Sequence, residues 1–100
     1  MVKHVIVWTL KDEFSAEEKE RIKQGIKEGL EGLKGVIPGL VDIHVQCEGL
    51  DSSNVDCMLD SVFVDEAALK GYTVHPAHVE VATTKVRPNV KQRLVMDYEA

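Results

Sequence analysis

The chain has 100 residues, of which 44% are hydrophobic and 29% are charged, and its formal net charge is −5. This size and composition are typical of one soluble domain, residues 1–100, that buries a modest core and gains stability from association. The negative charge disfavours nucleic acid and anionic membranes as partners, because a surface that binds phosphate groups needs a surplus of lysine and arginine.

The sequence also bears on where the protein resides. No apolar run approaches the roughly 18 residues that a bilayer span requires. The apolar run after Met1 ends at Lys11 without a small-residue cleavage site, so we predict no secretory signal. There are only two cysteines, Cys47 and Cys57, and without an export signal their thiols are expected to stay reduced. We therefore expect a cytoplasmic protein.

The first predicted element is a strand from Val2 to Leu10, rich in β-branched and aromatic residues. Alternation gives it two faces, with His4, Ile6, Trp8 and Leu10 on one and Val5, Val7 and Thr9 on the other. Both faces are largely apolar. One layer of helices covers only one face of a sheet, so the second face predicts a partner chain.

A helix is predicted to follow. Ser15-Ala-Glu-Glu18 forms a capping box, in which the serine oxygen and the glutamate side chain each accept a backbone N–H at the start of a helix. Apolar residues then recur at helical spacing until Gly35, close to Pro38. Glycines inside this helix indicate close packing, room for a ligand, or drift at a tolerant surface; they are Gly25, Gly29 and Gly32.

Two further strands are predicted in the middle of the chain. Leu40 to Cys47 alternates, with one face formed by Val41, Ile43, Val45 and Cys47. A polar, turn-prone stretch separates it from the third strand, Val55 to Val64. If these two strands form a hairpin centred near Ser52, Cys47 and Cys57 face each other.

The last third of the chain predicts two short helices and a strand. Asp65 to Tyr72 has the acidic start that the helix dipole favours, and Val79 to Val86 forms a second helix stopped by Pro88. Gln92 to Tyr98 is the final strand. The order β-α-β-β-α-α-β predicts an α+β, ferredoxin-like fold: a four-stranded antiparallel sheet with helices on one face.

The segment densest in groups able to move protons is Tyr72-Thr-Val-His75-Pro-Ala-His78-Val79. Pro76 suits the first turn of a helix, which places His75 at the cap and His78 about one turn further on. His75 and His78 with His4 form only a loose zinc pattern, without a His-Glu-x-x-His motif. Neither a phosphate-binding glycine loop nor a nucleophile elbow is present, so we predict no metal and no cofactor.

Four motifs together resemble the stress-responsive A/B barrel (Dabb) family of dimeric α+β barrel proteins. They are the opening Met1-Val-Lys-His4-Val-Ile-Val, Lys34-Gly-Val-Ile-Pro-Gly39, His75-Pro-Ala-His78-Val79, and the closing Val95-Met-Asp97-Tyr98. The resemblance spans essentially the whole chain. It implies a homodimer in which two sheets close face to face into a barrel with the helices outside, which would cover the second face of the first strand.

The resemblance extends to a plant polyketide cyclase in which a tyrosine and a histidine form the acid–base pair for an aldol-type ring closure. Tyr72 and His78 match that pair, Asp97 matches the aspartate that accompanies the histidine, and His4 matches a further pocket residue. The position of Cys57 carries a histidine in the cyclase. The resemblance thus implies His78, Tyr72 and Asp97 as catalytic residues.

Other residues are candidates for ligand binding, namely His4, Trp8, Cys57 and His75. The residues alone leave structural roles open for each candidate histidine. His78 could instead stabilise the helix junction, His75 could cap the helix at the proline, and His4 could be a hydrogen-bonded core residue. Trp8 is equally typical of a core.

Two functions therefore remain open. In the first, the protein binds a small apolar or carbonyl-containing molecule in a pocket between sheet and helices, with cofactor-free, lyase- or cyclase-like acid–base chemistry. In the second, it is a non-catalytic dimeric stress-response or interaction module whose histidines are structural.

Overall fold

The computed structural model describes all residues, Met1–Ala100. It contains strands β1 (Val2–Leu10), β2 (Leu40–Gln46), β3 (Cys57–Phe63) and β4 (Val90–Glu99), and helices α1 (Ala16–Glu31), α2 (Glu66–Val74) and α3 (Pro76–Val81). A π-helical turn at Ala82–Val86 and a 3-10 turn at Arg87–Asn89 link α3 to β4. The predicted order β-α-β-β-α-α-β is confirmed.

The four strands form one antiparallel sheet in the order β2-β3-β1-β4. The first strand of the chain therefore lies inside the sheet, between β3 and β4. Its two pairings place His4 between Ser61 on one side and Asp97 on the other. All helices cover the same face of the sheet, which confirms the predicted ferredoxin-like arrangement.

Burial along β1 alternates residue by residue, as a strand with one covered face requires. The core under the helices takes the inward residues of β1, β3 and α1, including Ile6, Trp8, Leu59, Ile26 and Leu30. Two of the buried β1 side chains, His4 and Trp8, carry polar atoms into this layer. The strand that builds the core therefore also brings hydrogen-bonding groups beneath the helices.

The predicted face of β2 is wrong at one position. Val41 is 40% exposed, whereas its neighbour Leu40 is buried. The reason is a register shift in the pairing with β3: Leu40 pairs with Phe63 and Asp42 pairs with Val62, so Val41 is the extra residue of a bulge. Beyond this bulge the alternation is as predicted.

Helix α1 begins with the predicted capping box, since the Ser15 hydroxyl accepts from Glu18 N–H at 3.1 Å and the Glu18 carboxylate accepts from Ser15 N–H at 2.8 Å. Its internal glycines differ in their surroundings. A Cβ at Gly29 would lie 2.9 Å from Cγ1 of Val81 on α3, whereas one at Gly25 would make only ordinary contacts. Gly29 thus lets α1 and α3 pack closely.

Helix α3 begins at Pro76, three residues earlier than the second short helix predicted from Val79. The ring of His75 folds back and its Nδ1 accepts the N–H of Ala77 at 3.1 Å, so His75 caps the helix. After Val81 the helix continues as the wider π-helical turn, and it ends at the 3-10 turn that contains Pro88. None of the helices is both long and apolar enough to cross a membrane.

Gly39 allows α2 to pack closely against the start of β2. Its φ of 82° lies in the left-handed region that favours glycine. A Cβ there would lie 2.5 Å from Cβ of Ala68 on α2, so no larger residue fits without moving that helix. Its carbonyl also accepts the N–H of Val64 at 2.9 Å, just beyond β3.

The other side of the sheet is uncovered in the single chain. We call this the open face; by strand register its apolar residues are Val5, Val7, Met58, Val62, Leu94 and Met96. Leu94 and Met96 are 58% and 67% exposed. The predicted placement of Val5, Val7, Met58 and Val62 on one face is therefore confirmed.

Candidate functional site

A pocket of about 310 Å³ lies between the helices and the covered face of the sheet. Its walls combine apolar side chains with two histidines, a tyrosine and two arginines. The lining residues are His4, Ile6, Trp8, Leu30, Leu59, Tyr72, Thr73, His78, Ala82, Val86, Arg87 and Arg93. Four of the predicted site residues, His4, Trp8, Tyr72 and His78, thus meet in one cavity.

Each polar wall residue is positioned by a different element. His4 is on the covered side of β1, and Tyr72 lies in the last turn of α2. Because Pro76 starts α3, His78 falls within its first turn and points to the same layer as Tyr72. Arg93 comes from β4, directly opposite Trp8 in the strand pairing.

The aspartate predicted to accompany His78 pairs with another histidine. His4 Nδ1 lies 2.5 Å from Asp97 Oδ1, because antiparallel pairing of β1 and β4 puts these residues directly opposite each other. Asp97 has His4, and not His78, as its side-chain partner, so an orienting role of Asp97 toward His78 stays a prediction. With Asp97 bound at Nδ1, the other ring nitrogen of His4 remains available to a ligand.

Tyr72 and His78 form the closest pair of rings in the pocket. Their centroids are 4.0 Å apart with an interplanar angle of 35°. His4 approaches Tyr72 edge-on, with centroids 5.9 Å apart, and Phe63 packs against Tyr72 at 5.0 Å. The tyrosine is therefore held between two histidines and the core.

Burial shifts the pKa values of Tyr72 and His78 in opposite directions. It raises the pKa of Tyr72 well above its ordinary value, a shift that the charge of Arg93 only partly opposes. It lowers the pKa of His78, as do the charges of His4, Arg87 and Arg93, while the Thr73 backbone opposes this change. Near neutral pH the site therefore holds a protonated phenol beside an uncharged imidazole.

This arrangement has defined chemical capacities. A neutral phenol donates a hydrogen bond, and a neutral imidazole accepts a proton. The Nδ1 atom of His78 is buried and has no hydrogen-bond partner within the chain, which is uncommon for such a group. Tyr72 thus offers a hydrogen-bond donor, and His78 a proton acceptor, at the wall of the same pocket.

Two predicted ligand-binding residues lie outside the pocket. Cys57 starts β3 and packs against Cys47 across the hairpin, with their Sγ atoms 2.8 Å apart. The predicted proximity of the two cysteines is confirmed. His75 is occupied by its capping bond to Ala77 and does not reach the cavity. Cys57 and His75 thus lie apart from the other candidate residues, and a ligand-binding role for either stays a prediction.

Arg87 and Arg93 were not predicted as site residues from the sequence. A net charge of −5 does not indicate a basic site. Strand parity was the available signal, because Arg93 and Asp97 share one face of β4 at a spacing of four residues. Arg87 had no such signal, since its place depends on the π-helical turn before it.

The chain brings together no group of three or more histidine, cysteine, aspartate or glutamate side chains in a metal-binding arrangement. His4 and His78 share the pocket, but the only carboxylate within ion-pair distance of either is Asp97. The side chains of His4, His78 and Asp97 are suited to proton transfer and hydrogen bonding.

Solved structures of similar fold span nearly the whole chain. A dimeric, ferredoxin-like protein of unknown function from Bacteroides fragilis is 28% identical, with a TM-score of 0.92 over 99% of this chain and 95% of that one. A Dabb family protein from Mesorhizobium loti is 24% identical, with a TM-score of 0.75 over 99% and 95%. A hydroxynitrile lyase from Passiflora edulis is 16% identical, with a TM-score of 0.72 over 97% and 90%, which shows a shared fold alone.

No protein of curated function matches the sequence. The family model described as Stress responsive A/B Barrel Domain matches residues 2–100. Sheet order, helix placement and the four sequence motifs agree with that match. The chain therefore belongs to the stress responsive A/B barrel domain (Dabb) family.

Proposed function

We propose that the pocket binds a small carbonyl compound with an apolar body, and that the protein catalyses cofactor-free proton transfer at the carbon next to the carbonyl. The observation that carries this proposal is the Tyr72–His78 pair, a phenol that keeps its proton and an imidazole that lacks one, with ring centroids 4.0 Å apart in one cavity. Surroundings that push the pKa values of two titratable groups apart are the usual way to divide acid and base roles.

The proposed step is an enolisation. His78 takes the proton from the carbon, the C–H electrons form a C=C bond, and the carbonyl electrons move to oxygen. The Tyr72 O–H donates to that oxygen and stabilises its developing negative charge. The enol or enolate then regains a proton or attacks a second carbonyl, as in the aldol-type closure of the cyclase that the sequence resembles.

His4 and Asp97 have a positioning role in this proposal. The Asp97 carboxylate holds Nδ1 of His4, which fixes the tautomer of the ring. His4 then supports Tyr72 edge-on and presents its other nitrogen to the pocket. Leu30, Leu59 and Ile6 supply apolar walls for the body of the ligand.

We further infer that the chain forms a homodimer through the open face. Its apolar residues form a contiguous patch in which Leu94 and Met96 are 58% and 67% exposed, and such a patch is typical of a protein–protein interface. The Bacteroides fragilis relative is described as dimeric, which supports this inference. Should the pocket bind nothing, the dimer alone favours the second function, a non-catalytic interaction module.

Phenylacetone labelled with carbon-13 at the carbonyl tests the binding half of the proposal. We expect the carbonyl resonance to shift downfield on binding, and the shift to shrink in Tyr72→Phe, because the donated hydrogen bond is lost. His75→Asn is the matched control, since it keeps the helix cap but lies outside the pocket. Equal shifts in Tyr72→Phe and in the wild type would contradict the proposed site.

A further inference from the structure

Two of the three arginines of a chain with a net charge of −5 line the same pocket. Neither forms an ion pair: no arginine of the chain has a carboxylate within 4.0 Å, whereas six lysines do. Arg87 and Arg93 also form no side-chain hydrogen bond within the chain, although carboxylates outnumber basic residues. Both arginines thus line the cavity without a negatively charged partner in the chain.

The two guanidinium groups come from separate elements that converge on the pocket. Arg87 opens the 3-10 turn immediately after Val86, a buried pocket residue. Arg93 is exposed on β4, opposite Trp8. The charges of both arginines lower the pKa of His78, and the charge of Arg93 also opposes the rise in the pKa of Tyr72. The cations therefore stand at the solvent side of the pocket and influence the reacting groups.

We propose that the ligand of this pocket is an acid, a carbonyl compound whose carboxylate binds to Arg87 and Arg93. This inference rests on the proposed function and narrows it to a substrate class. The planar fork of a guanidinium matches a carboxylate with two parallel hydrogen bonds. The apolar floor cannot accept an unpaired charge, so the carboxylate lies at the arginines and the apolar body lies against Leu30 and Leu59.

The charges also serve the reaction. Enolisation places negative charge on the carbonyl oxygen near Tyr72, and fixed positive groups close to that oxygen lower the cost of forming it. Arg93 lies on the covered side of β4, opposite Trp8, and lines the pocket together with Tyr72 and His78. The arginines thus select an acidic substrate and favour its enolate.

Phenylpyruvate and phenylacetone test this inference as a matched pair, because they differ only in a carboxylate in place of a methyl group beside the carbonyl. We expect the wild type to bind phenylpyruvate about tenfold more tightly in low salt, which is the effect of one charge-assisted hydrogen bond. Arg87→Met and Arg93→Met should each lose most of this preference. Arg21→Met removes the same charge from α1, outside this pocket, and should keep it.

The outcomes separate the inference from the proposed function. If phenylacetone binds with the Tyr72-dependent carbonyl shift but phenylpyruvate binds no better, the carboxylate site is wrong and the carbonyl pocket stands. If neither compound binds, both are wrong. A preference that survives in the Arg87→Met, Arg93→Met double variant, or displacement of phenylpyruvate by equimolar inorganic phosphate, would overturn the assignment. Melting temperatures of these exposed-site variants confirm that they fold.

Discussion

His4 Nδ1 and Asp97 Oδ1 lie 2.5 Å apart across the pairing of β1 and β4. The histidine side chain is 6% exposed and the aspartate side chain 46% exposed, so the pair connects the pocket with solvent. The first and last strands of the chain are thereby linked at the site itself. This contact assigns to His4 the carboxylate partner that sequence motifs had associated with His78.

A double-mutant cycle distinguishes these two pairings. We expect His4→Gln and Asp97→Asn to couple by about 1 kcal/mol in unfolding free energy, a modest value because solvent screens the half-exposed carboxylate. His78→Gln and Asp97→Asn should be additive. Urea unfolding of the wild type, the three single variants and the two double variants provides the measurement. Coupling of His78 with Asp97, without coupling of His4, would contradict the structure.

The pH dependence of stability should report the burial of His78. Its pKa in the folded state is below the ordinary value of 6.5, mainly through burial, so the unfolded chain binds the proton more readily. The free energy of unfolding should therefore be highest above about pH 6.5 and fall as the pH drops from there through the folded-state pKa. His78→Gln should remove this component of the slope.

Urea titrations at pH 8, 6.5 and 5 measure this effect. One proton contributes at most about 1.4 kcal/mol per pH unit, so the two proteins should diverge by roughly that amount or less per unit. Parallel profiles of the wild type and His78→Gln between pH 8 and pH 5 would show that His78 titrates normally.

The elements of the fold follow from local sequence signals. The Ser15 capping box, the two-sided apolar alternation of β1 and Pro76 each act within a few residues, and each predicts the element found. The bulge at Val41 had no such signal, because it arises from the pairing of β2 with β3. Register between distant strands is also what brings Asp97 to His4.

The site was predictable only in part for the same reason. Tyr72 and His78 lie close in sequence on consecutive helices, so their meeting is a local event. Arg87 and Arg93 reach the pocket through a π-helical turn and a strand pairing with β1, neither of which a motif encodes. Cys57 was a candidate through the resemblance to the cyclase and His75 through its place in the histidine-rich segment, whereas local contacts occupy both of them.

Paired glycine substitutions in α1 test the packing of α3. Gly25→Ala should stabilise the protein by up to about 1 kcal/mol, because alanine favours a helix and the added methyl group meets no close neighbour. Gly29→Ala should destabilise it, because its Cβ would lie 2.9 Å from Val81 Cγ1 and displace the helix that carries His78. Thermal melts compare the two; equal gains would contradict the close approach.

Substitutions on the open face test the homodimer. Met96 is 67% exposed in the single chain, so Met96→Asp should cost little to a monomer but place an unpaired charge inside the proposed interface. Light scattering at micromolar concentration should show a dimer for the wild type and dissociation for Met96→Asp. Val36→Asp, at an exposed turn between α1 and β2 and outside the open face, should remain dimeric. A monomeric wild type would refute the interface.

The two cysteines are expected to be free thiols in cells. The contact between the two thiols lowers the pKa of Cys47, while that contact and burial raise the pKa of Cys57. Alkylation during denaturing lysis without reductant should therefore label both residues. Without denaturant, labelling should be slow and should start at Cys47. A protein that takes up no label under denaturing conditions would carry a bond between them.

Deuterium incorporation from D2O into the methylene group of phenylacetone tests the central claim, proton transfer between His78 and a carbon beside a carbonyl bound at Tyr72. Wild-type protein should accelerate the exchange above the buffer rate, and His78→Ala should abolish the acceleration. Removal of a general base typically costs on the order of 10² to 10⁴ in rate. His75→Asn should exchange as the wild type does. Exchange at the buffer rate with wild-type protein, or an undiminished rate with His78→Ala, would contradict the account.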